Sequence, residues 1–489
     1  MTEISPTPSL RDLENLLQQI WGYSSFRFPQ AEVIQSLLNA QDAVVVMPTG
    51  GGKSICFQLP AVLQEGLTIV VSPLIALMEN QVQELRDRRL SAACLHNELS
   101  RYHRRQILQS LEQGQLSLLY VAPETLLSPN VWTILCQPQI KIRGLMLDEA
   151  HCLVQWGDSF RPVYRRLGSF RQALLRQNPQ AKPFGIAAFT ATATPETQQD
   201  IATSLQLKNP RTFALSPYRS HLRLMVKIAW SNRCRRHLML NFINLHPGQS
   251  GLIYVRSRRD SELLSQALGL LKYKTIAYHG GLGSQQRREI EQQWLTGELP
   301  FVVCTNAFGL GINKPDIRWI LHYHPPALLS EYLQEIGRGG RDQLPANCLT
   351  LISEPTGWLD PRDRQRQGFF QQQLEQQYRQ ATAIARQIPR QGEIQAIKAT
   401  FPDLELSLSL LHCLGQLEWL DPFHYRLLND RHSPHFSPIN AIAAQSVQPY
   451  LRTRRCRWQF LLQAFGWLSE AKNLACGQCD NCRRFKFKL

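Results

Sequence analysis

"VVVMPTGGGKSICFQLPAVLQ", residues 44 to 64, decides the fold. It passes from an apolar run into a Gly-rich turn and then into a helical stretch. With no Cβ at Gly50, Gly51 and Gly52, backbone N–H groups can approach phosphate oxygens closely, and the helix N-terminus adds its positive dipole. Thr49 belongs to the same loop, Lys53 is placed to pair with β- and γ-phosphates, and Ser54 to ligate magnesium. The strict phosphate-loop pattern has Gly at position 47, where this chain has Met47, so a Gly-rich turn without a ligand is the competing reading.

Working outward, short apolar runs alternate with helical stretches: 42–48, 67–73, 116–123, 143–151 and 185–194. A second series follows at 250–257, 273–281, 299–309, 318–326 and 347–354. Apolar strands separated by helices imply parallel sheets covered on both faces, here two α/β lobes of five strands meeting near residues 208–225. The run "LMLDEAH" (145–151) ends a strand of the first lobe. Open α/β sheets gather ligands at the carboxyl ends of their strands, so Asp148 is expected beside the loop, holding magnesium through water, with Glu149 polarising the attacking water. Two adjacent buried carboxylates are expensive to ionise, and a magnesium ion makes the pair tolerable. In the second lobe "QEIGRGGRD" (334–342) sets Arg338 and Arg341 three residues apart, able to share one face of a helical turn and reach a γ-phosphate.

The chain has 489 residues, enough for three or four cores, with 54 Lys+Arg against 38 Asp+Glu and a formal charge of +16. A polyanion is the first partner to consider. The opening "MTEISPTPSLRDLENLL" lacks a basic end followed by an apolar core, and no apolar run approaches the ~18 residues of a membrane span. Eight cysteines (Cys56, Cys94, Cys136, Cys152, Cys234, Cys304, Cys348, Cys413) are scattered singly, as expected of buried thiols in a reducing cytoplasm.

Beyond residue 355 the Gln-rich stretch 364–387 reads as a solvated connecting helix. Residues 392–428 read as a helix, a Pro-Asp break capping a second helix, and two short strands around Asp421-Pro422, a winged-helix pattern whose plainer alternative is a helical spacer. A loop at 429–438 precedes the helix carrying Cys456. Cys456 with Cys476, Cys479 and Cys482 gives C-x19-C-x2-C-x2-C, a closed thiolate cage suited to structural zinc; an iron–sulfur cluster can use similar sulfurs. Arg452, Arg454, Arg455, Arg457, Arg483, Arg484, Lys486 and Lys488 around it read as a surface for duplex phosphates, or as a solvated tail.

With these segments in this order, the chain resembles the RecQ-type DNA helicases of the second helicase superfamily, closely over 10–355 and again over 451–484. The most specific element is "HCLVQWGDSFRPVYRRL" (151–167), which resembles the aromatic-rich loop coupling single-stranded DNA to ATP hydrolysis. The resemblance implies DNA contact or coupling by His151, Trp156, Phe160, Arg161 and Tyr164, with Arg165 a further phosphate contact. "FRFPQ" (26–30) resembles the adenine-reading segment, implying that Gln30 bonds the base while Tyr23 and Arg27 pack against it. The stretches 72–82, 189–195, 277–282 and 305–318 resemble the strand-tracking and lobe-coupling motifs. Departures are Asp158-Ser159 for the usual His-Asp, Phe28-Pro29 for Pro-Gly, and Gly339 for Ala. In the usual RecQ arrangement a winged helix follows the zinc module, whereas here the candidate precedes it.

The implied fold is α/β: two RecA-like lobes with parallel sheets (1–210 and 211–355), a helical or winged-helix-like region (356–450) and a four-cysteine zinc module with a basic tail (451–489). The implied protein is an ATP- and magnesium-dependent DNA helicase carrying zinc, moving three-prime to five-prime in recombination or repair. It is expected on single-stranded, forked and duplex DNA in the cytoplasm, at the nucleoid in a prokaryote, with recombination or repair proteins as partners. An RNA helicase of the same superfamily and a DNA-binding zinc protein with a silent ATPase core are the rivals.

Overall fold

The computed structural model describes residues 8–154, 161–308, 314–354, 356, 358–359, 361–428 and 446–486. The chain divides into two compact units, Met1–Leu215 with Glu375–Pro438, and Ser216–Leu374 with Ile439–Leu489.

The first unit is built on a seven-stranded sheet: β1 (Ala43–Val46), β2 (Leu67–Val71), β3 (Ala92–Leu95), β4 (Leu118–Val121), β5 (Ile142–Leu147), β6 (Gly185–Thr190) and β7 (Arg211–Ala214). Its order is β3-β4-β2-β5-β6-β1-β7, with every pairing parallel. Both faces are covered, which is why the strands are almost wholly apolar: Ile69 and Val71 face a core with Trp132 and Phe170, while Val70 faces another with Met47 and Phe57. The sequence reading missed β3 and β7, the two edges. β3 is the short run "AACL", and β7 exposes Arg211 and Thr212, so neither carries a strong apolar signal.

Asp42, just ahead of β1, is buried and receives Arg171 through two contacts of 2.6 and 2.8 Å, and the Ile186 N–H at 2.8 Å. This fork ties the starts of β1 and β6 to the helix Phe170–Gln177.

The second unit holds β8 (Leu222–Ala229), β9 (Gly251–Tyr254), β10 (Ala277–Tyr278), β11 (Phe301–Cys304), β12 (Trp319–His322) and β13 (Ala346–Ser353). The order is β10-β11-β9-β12-β13-β8, again parallel throughout. β8 was missed because its alternating burial and charged Arg223 and Lys227 make it look like a linker, and it lies where the lobes were expected to join.

The helix Arg362–Ala385 follows, then β14 (Gln391–Glu393), helices Ile394–Lys398 and Leu404–Cys413, and the hairpin β15 (Leu417–Trp419) and β16 (His424–Leu427). β14 pairs with β16 to make an antiparallel sheet ordered β14-β16-β15, a third strand that the sequence reading did not foresee. Asp403 occupies the N-cap of Leu404–Cys413 without a side-chain cap bond, so the expected Asp cap does not form. The loop expected at 429–438 lies outside the described residues.

Among the described residues no helix is long and apolar enough to cross a membrane. Burial pushes the Cys56, Cys94 and Cys348 thiols up to about 12, as suits inert core thiols.

Removing one partner of a buried ion pair strands the other, so Asp42→Ala is expected to destabilise the first unit by about 3–5 kcal/mol. Urea unfolding followed by circular dichroism measures it, with the exposed Glu418→Ala near the parental midpoint.

Candidate active site and metal centre

β1 leads directly into the Gly-rich turn. Met47 donates its N–H to Thr190 O at 3.0 Å and buries its side chain in the core, which accommodates this departure from the phosphate-loop pattern. Gly50 and Gly52 have φ of 82° and 80°, the left-handed region, and a Cβ on Gly52 would lie 2.3 Å from Gln30 Nε2. The helix Lys53–Leu63 begins with no side-chain cap, leaving its first N–H groups directed at the turn, with Ser54 half-buried in that first helical turn. Gln30 donates to Gly52 O at 3.1 Å and Gly51 O at 3.4 Å and accepts from Arg27 N at 2.8 Å. Arg27 also reaches Gly50 O at 3.5 Å, so Arg27 and Gln30 both lie against the loop. Tyr23 is 53% exposed.

Asp148 continues the β2–β5 ladder by donating its N–H to Val71 O at 2.8 Å. Glu149 then adopts φ 48°, uncommon for a residue with a side chain, and starts a short 3-10 helix, Ala150–Leu153. The turn brings Glu149 Oε1 to 4.0 Å from Lys53 Nζ and Oε2 to 3.2 Å from His151 Nδ1. His151 Nδ1 also lies 3.2 Å from Thr190 Oγ1, at the end of β6. Burial and the neighbouring Glu149 carboxylate raise the Asp148 pKa, against the pull of Lys53. Burial disfavours a charged His151, but Cys152 and Glu149 outweigh it and push that pKa up to about 10. Lys53, Asp148 and Glu149, all half-buried, thus join the buried His151 and Thr190 in one cluster at the carboxyl ends of β1, β5 and β6. The Thr190 contact was missed, although its threonine lies within "FTATATP".

Of the expected DNA-coupling residues, Trp156 and Phe160 lie outside the described residues, as do Asp158 and Ser159. Arg161 is exposed. Tyr164 is fully buried and donates its hydroxyl to Asp148 O at 3.2 Å, so it links this segment to the acidic cluster and offers no face to DNA. The phosphate role expected of Arg165 is corrected: it is 6% exposed, with NH1 3.5 Å from Ser204 Oγ and 3.3 Å from His412 Nδ1.

In the second unit the helix Leu329–Ile336 ends at Gly337, and Arg338 and Arg341 stand in the turns that follow it. The helical face expected for them is therefore replaced by a Gly-shaped turn: Gly340 has φ 55° and donates to Ile317 O at 2.9 Å. Burial, then Arg338 and Arg219, push Arg341 down to about 9, the mark of cations gathered in one place. Glu335, one turn earlier, takes Arg256 bidentately at 2.8 and 2.7 Å and lies 3.0 Å from His322 Nε2. Burial works to raise its pKa, but Arg256 and His322 outweigh it and hold it at about 2.

The sulfurs of Cys456, Cys476, Cys479 and Cys482 all lie within 4.8 Å of one another, and Cys476 and Cys482 are 3.9 Å apart. A tetrahedral zinc with ~2.3 Å bonds separates its sulfurs by roughly 3.8 Å, so the cage fits that ion. Cys456 sits at the N-cap of Arg457–Ala464 and not within it, free to accept the Cys476 N–H at 3.3 Å. N–H groups of Arg457, Cys479 and Cys482 also point at cage sulfurs, at 3.4–3.5 Å, which favours thiolates. Arg457 is buried in a fork with Asp480 at 2.8 and 2.9 Å, so it leaves the proposed phosphate surface, whereas Arg452, Arg454, Arg455 and Arg483 are exposed. The side chains of Arg484, Lys486 and Lys488 lie outside the described residues. Asp480 also accepts the Val226 N–H at 3.0 Å, and Trp458 donates to Leu222 O at 3.3 Å, fastening the module to edge strand β8.

A phosphate-loop sheet, an Asp-Glu-Ala-His turn and a second parallel sheet define a two-lobed DEAD/DEAH-type helicase core. Residues 27–201 match the DEAD/DEAH box helicase family, 234–343 the helicase conserved C-terminal domain and 424–483 the RecQ zinc-binding family. The chain is 56% identical over 474 residues to an ATP-dependent DNA helicase RecQ of Synechocystis sp., covering 96% of this chain and 98% of that one. It is 38% identical to the Haemophilus influenzae ATP-dependent DNA helicase RecQ, over 74% of this chain and 57% of that protein. The chain belongs to the RecQ family of ATP-dependent DNA helicases. Among solved structures, Saccharomyces cerevisiae Dbp5 bound to RNA and ADP BeF3 matches with a TM-score of 0.57 at 15% identity, over 74% of this chain and 93% of that one. Mycobacterium smegmatis Lhr bound to ssDNA and AMP-PNP matches at 0.57 and 16%, over 91% and 62%; both show the fold alone.

A Cβ on Gly339 would meet Ala346, Ile320 and Ile336 at 3.4 Å, whereas one on Gly340 would lie 2.5 Å from Leu344 O. Gly339→Ala is therefore expected to stay within about 0.5 kcal/mol of the parent, and Gly340→Ala to lose about 1–3 kcal/mol, both read by thermal melting.

Proposed function

We propose that the chain is a DNA-stimulated ATPase that unwinds duplex DNA while moving along a single strand, three-prime to five-prime, as RecQ relatives lead one to expect. The observation that carries this is the cluster in which Lys53, Asp148, Glu149 and His151 converge beside the phosphate-loop turn. In this reading the loop N–H groups and Lys53 hold the phosphates, Ser54 and Asp148 hold magnesium, and Glu149 orients and deprotonates the attacking water. Magnesium supplies neutralisation of phosphate charge, and its charge lowers the cost of ionising Asp148 beside Glu149. Gln30, with Tyr23 and Arg27 beside it, reads the base by exchanging its bonds to Gly51 O and Gly52 O for bonds to adenine. Arg338 and Arg341 act as arginine fingers on the γ-phosphate. Arg161, with Trp156 and Phe160, meets single-stranded DNA, and Tyr164 passes that contact to Asp148.

The four cysteines hold a structural zinc, and the element order from Arg362 to Leu427 supports a winged-helix origin for that region. Recombination or repair in the cytoplasm, at the nucleoid in a prokaryote, is the setting the family suggests.

The deciding experiment is the ATPase rate with no nucleic acid, single-stranded DNA, duplex DNA and RNA in turn. Stimulation by single-stranded DNA is expected, and a preference for RNA would move the chain to the rival reading. Arg341→Ala is expected to bind a fluorescent ATP analogue as the parent does, while turnover falls by about 10³.

A structural zinc contributes roughly 10–16 kcal/mol. Cys479→Ser is therefore expected to lose zinc, measured by elemental analysis, together with soluble yield.

A further inference from the structure

In a helix-turn-helix the second helix lies in the major groove. The corresponding helix here, Leu404–Cys413, is already occupied: Leu404, Ser407, Leu408, Ser409, Leu410 and Leu411 are all buried. What it packs against is the 3-10 helix Pro162–Ser169, the continuation of the segment resembling the aromatic-rich loop. Ser409 Oγ donates to Pro162 O at 2.9 Å, and Arg165 NH1 lies 3.3 Å from His412 Nδ1. Burial and Arg165 push His412 down to about 3, leaving a neutral ring that accepts from the guanidinium. Arg166 donates to Pro422 O at 2.6 Å and approaches Glu405 at 3.6 Å. The Phe423 ring stands edge-on to Trp132 at 5.3 Å, with the Arg166 guanidinium 6.0 Å from its centroid. Residues three apart in a 3-10 helix share a face, so Pro162 and Arg165 are gripped together. Tyr164, between them, carries the hydroxyl that bonds Asp148 O.

We infer that residues 391–428 have exchanged groove reading for an internal role, that of a positioning module which clamps Pro162–Ser169 and so sets how strongly DNA stimulates ATP hydrolysis. Ser409, His412 and Phe423 are its positioning residues. Helix Leu404–Cys413 does not read DNA. The inference rests on the proposed reading of 151–167 as the DNA-coupling segment.

The test compares the full-length parent, the double variant Phe423→Ala/Glu405→Arg, and the control Arg426→Ala, whose side chain faces solvent beside Glu418. Each is titrated with single-stranded DNA for ATPase, and hydrogen–deuterium exchange is followed over Pro162–Ser169. The double variant is expected to keep its DNA-free rate, to lose protection over that helix, and to lose DNA stimulation by about 2- to 30-fold. Arg426→Ala is expected to match the parent in every readout. Lost protection with parental stimulation overturns the inference, as does unchanged protection, or an equal fall in both rates. Should the double variant fail to fold, Ser409→Ala, which removes one hydrogen bond, is read by the same criteria. A parent that DNA does not stimulate overturns the functional reading and this inference with it, whereas a stimulated parent with an equally stimulated variant overturns the inference alone.

Discussion

Two carboxylates in sequence, Asp148 and Glu149, stand half-buried at the end of β5, and the local structure there turns on making that arrangement tolerable. Parallel pairing answers half of the problem. With β5, β6 and β1 adjacent and pointing the same way, their carboxyl ends deliver Asp148, Thr190 and the Lys53 loop to one place without any long connection. The left-handed backbone of Glu149 answers the other half, setting its carboxylate between Lys53 and His151. A residue forced into that conformation where a β-branched side chain would be unwelcome is strain stored beside the phosphate-loop turn.

The C-terminal third of the chain is divided between the two units. Phe423, between β15 and β16, packs against the core that holds Trp132 and Phe170 of the first unit. The cysteine cage shares one with Leu222, Leu224 and Tyr332 of the second, where Tyr450 donates to the Tyr332 hydroxyl at 2.8 Å. Asp480 explains the second attachment in elementary terms: edge strand β8 has unmatched N–H groups, and a carboxylate already forked to Arg457 satisfies one of them. The metal knot is thus a clasp on a sheet edge.

Much of this was legible because the signals are local. Gly50 to Lys53, Asp148 to His151 and the triplet Cys476, Cys479 and Cys482 each fall within a few residues, and the buried strands announce themselves as apolar runs. What escaped depends on distant partners. Arg165 and Arg457 look like phosphate ligands in the sequence, yet His412 lies 247 residues from the first and Asp480 is the second one's fork. β3, β7, β8 and β14 are edge or short strands whose identity comes from a neighbour's ladder and not from their own composition.

The charge patterns of the two units arise separately, and they are opposite in sign. In the first, burial and a like charge raise the pKa of Asp148, which is the response of a site short of positive charge despite Lys53. In the second, burial and like charges lower Arg341 to about 9, the response of a site rich in positive charge. A hydrophobic explanation fails for both, because burying ionisable groups of one sign together is unfavourable and apolar residues would pack as well. Within each unit, taken by itself, a bound group of opposite charge would relieve the cost of that arrangement.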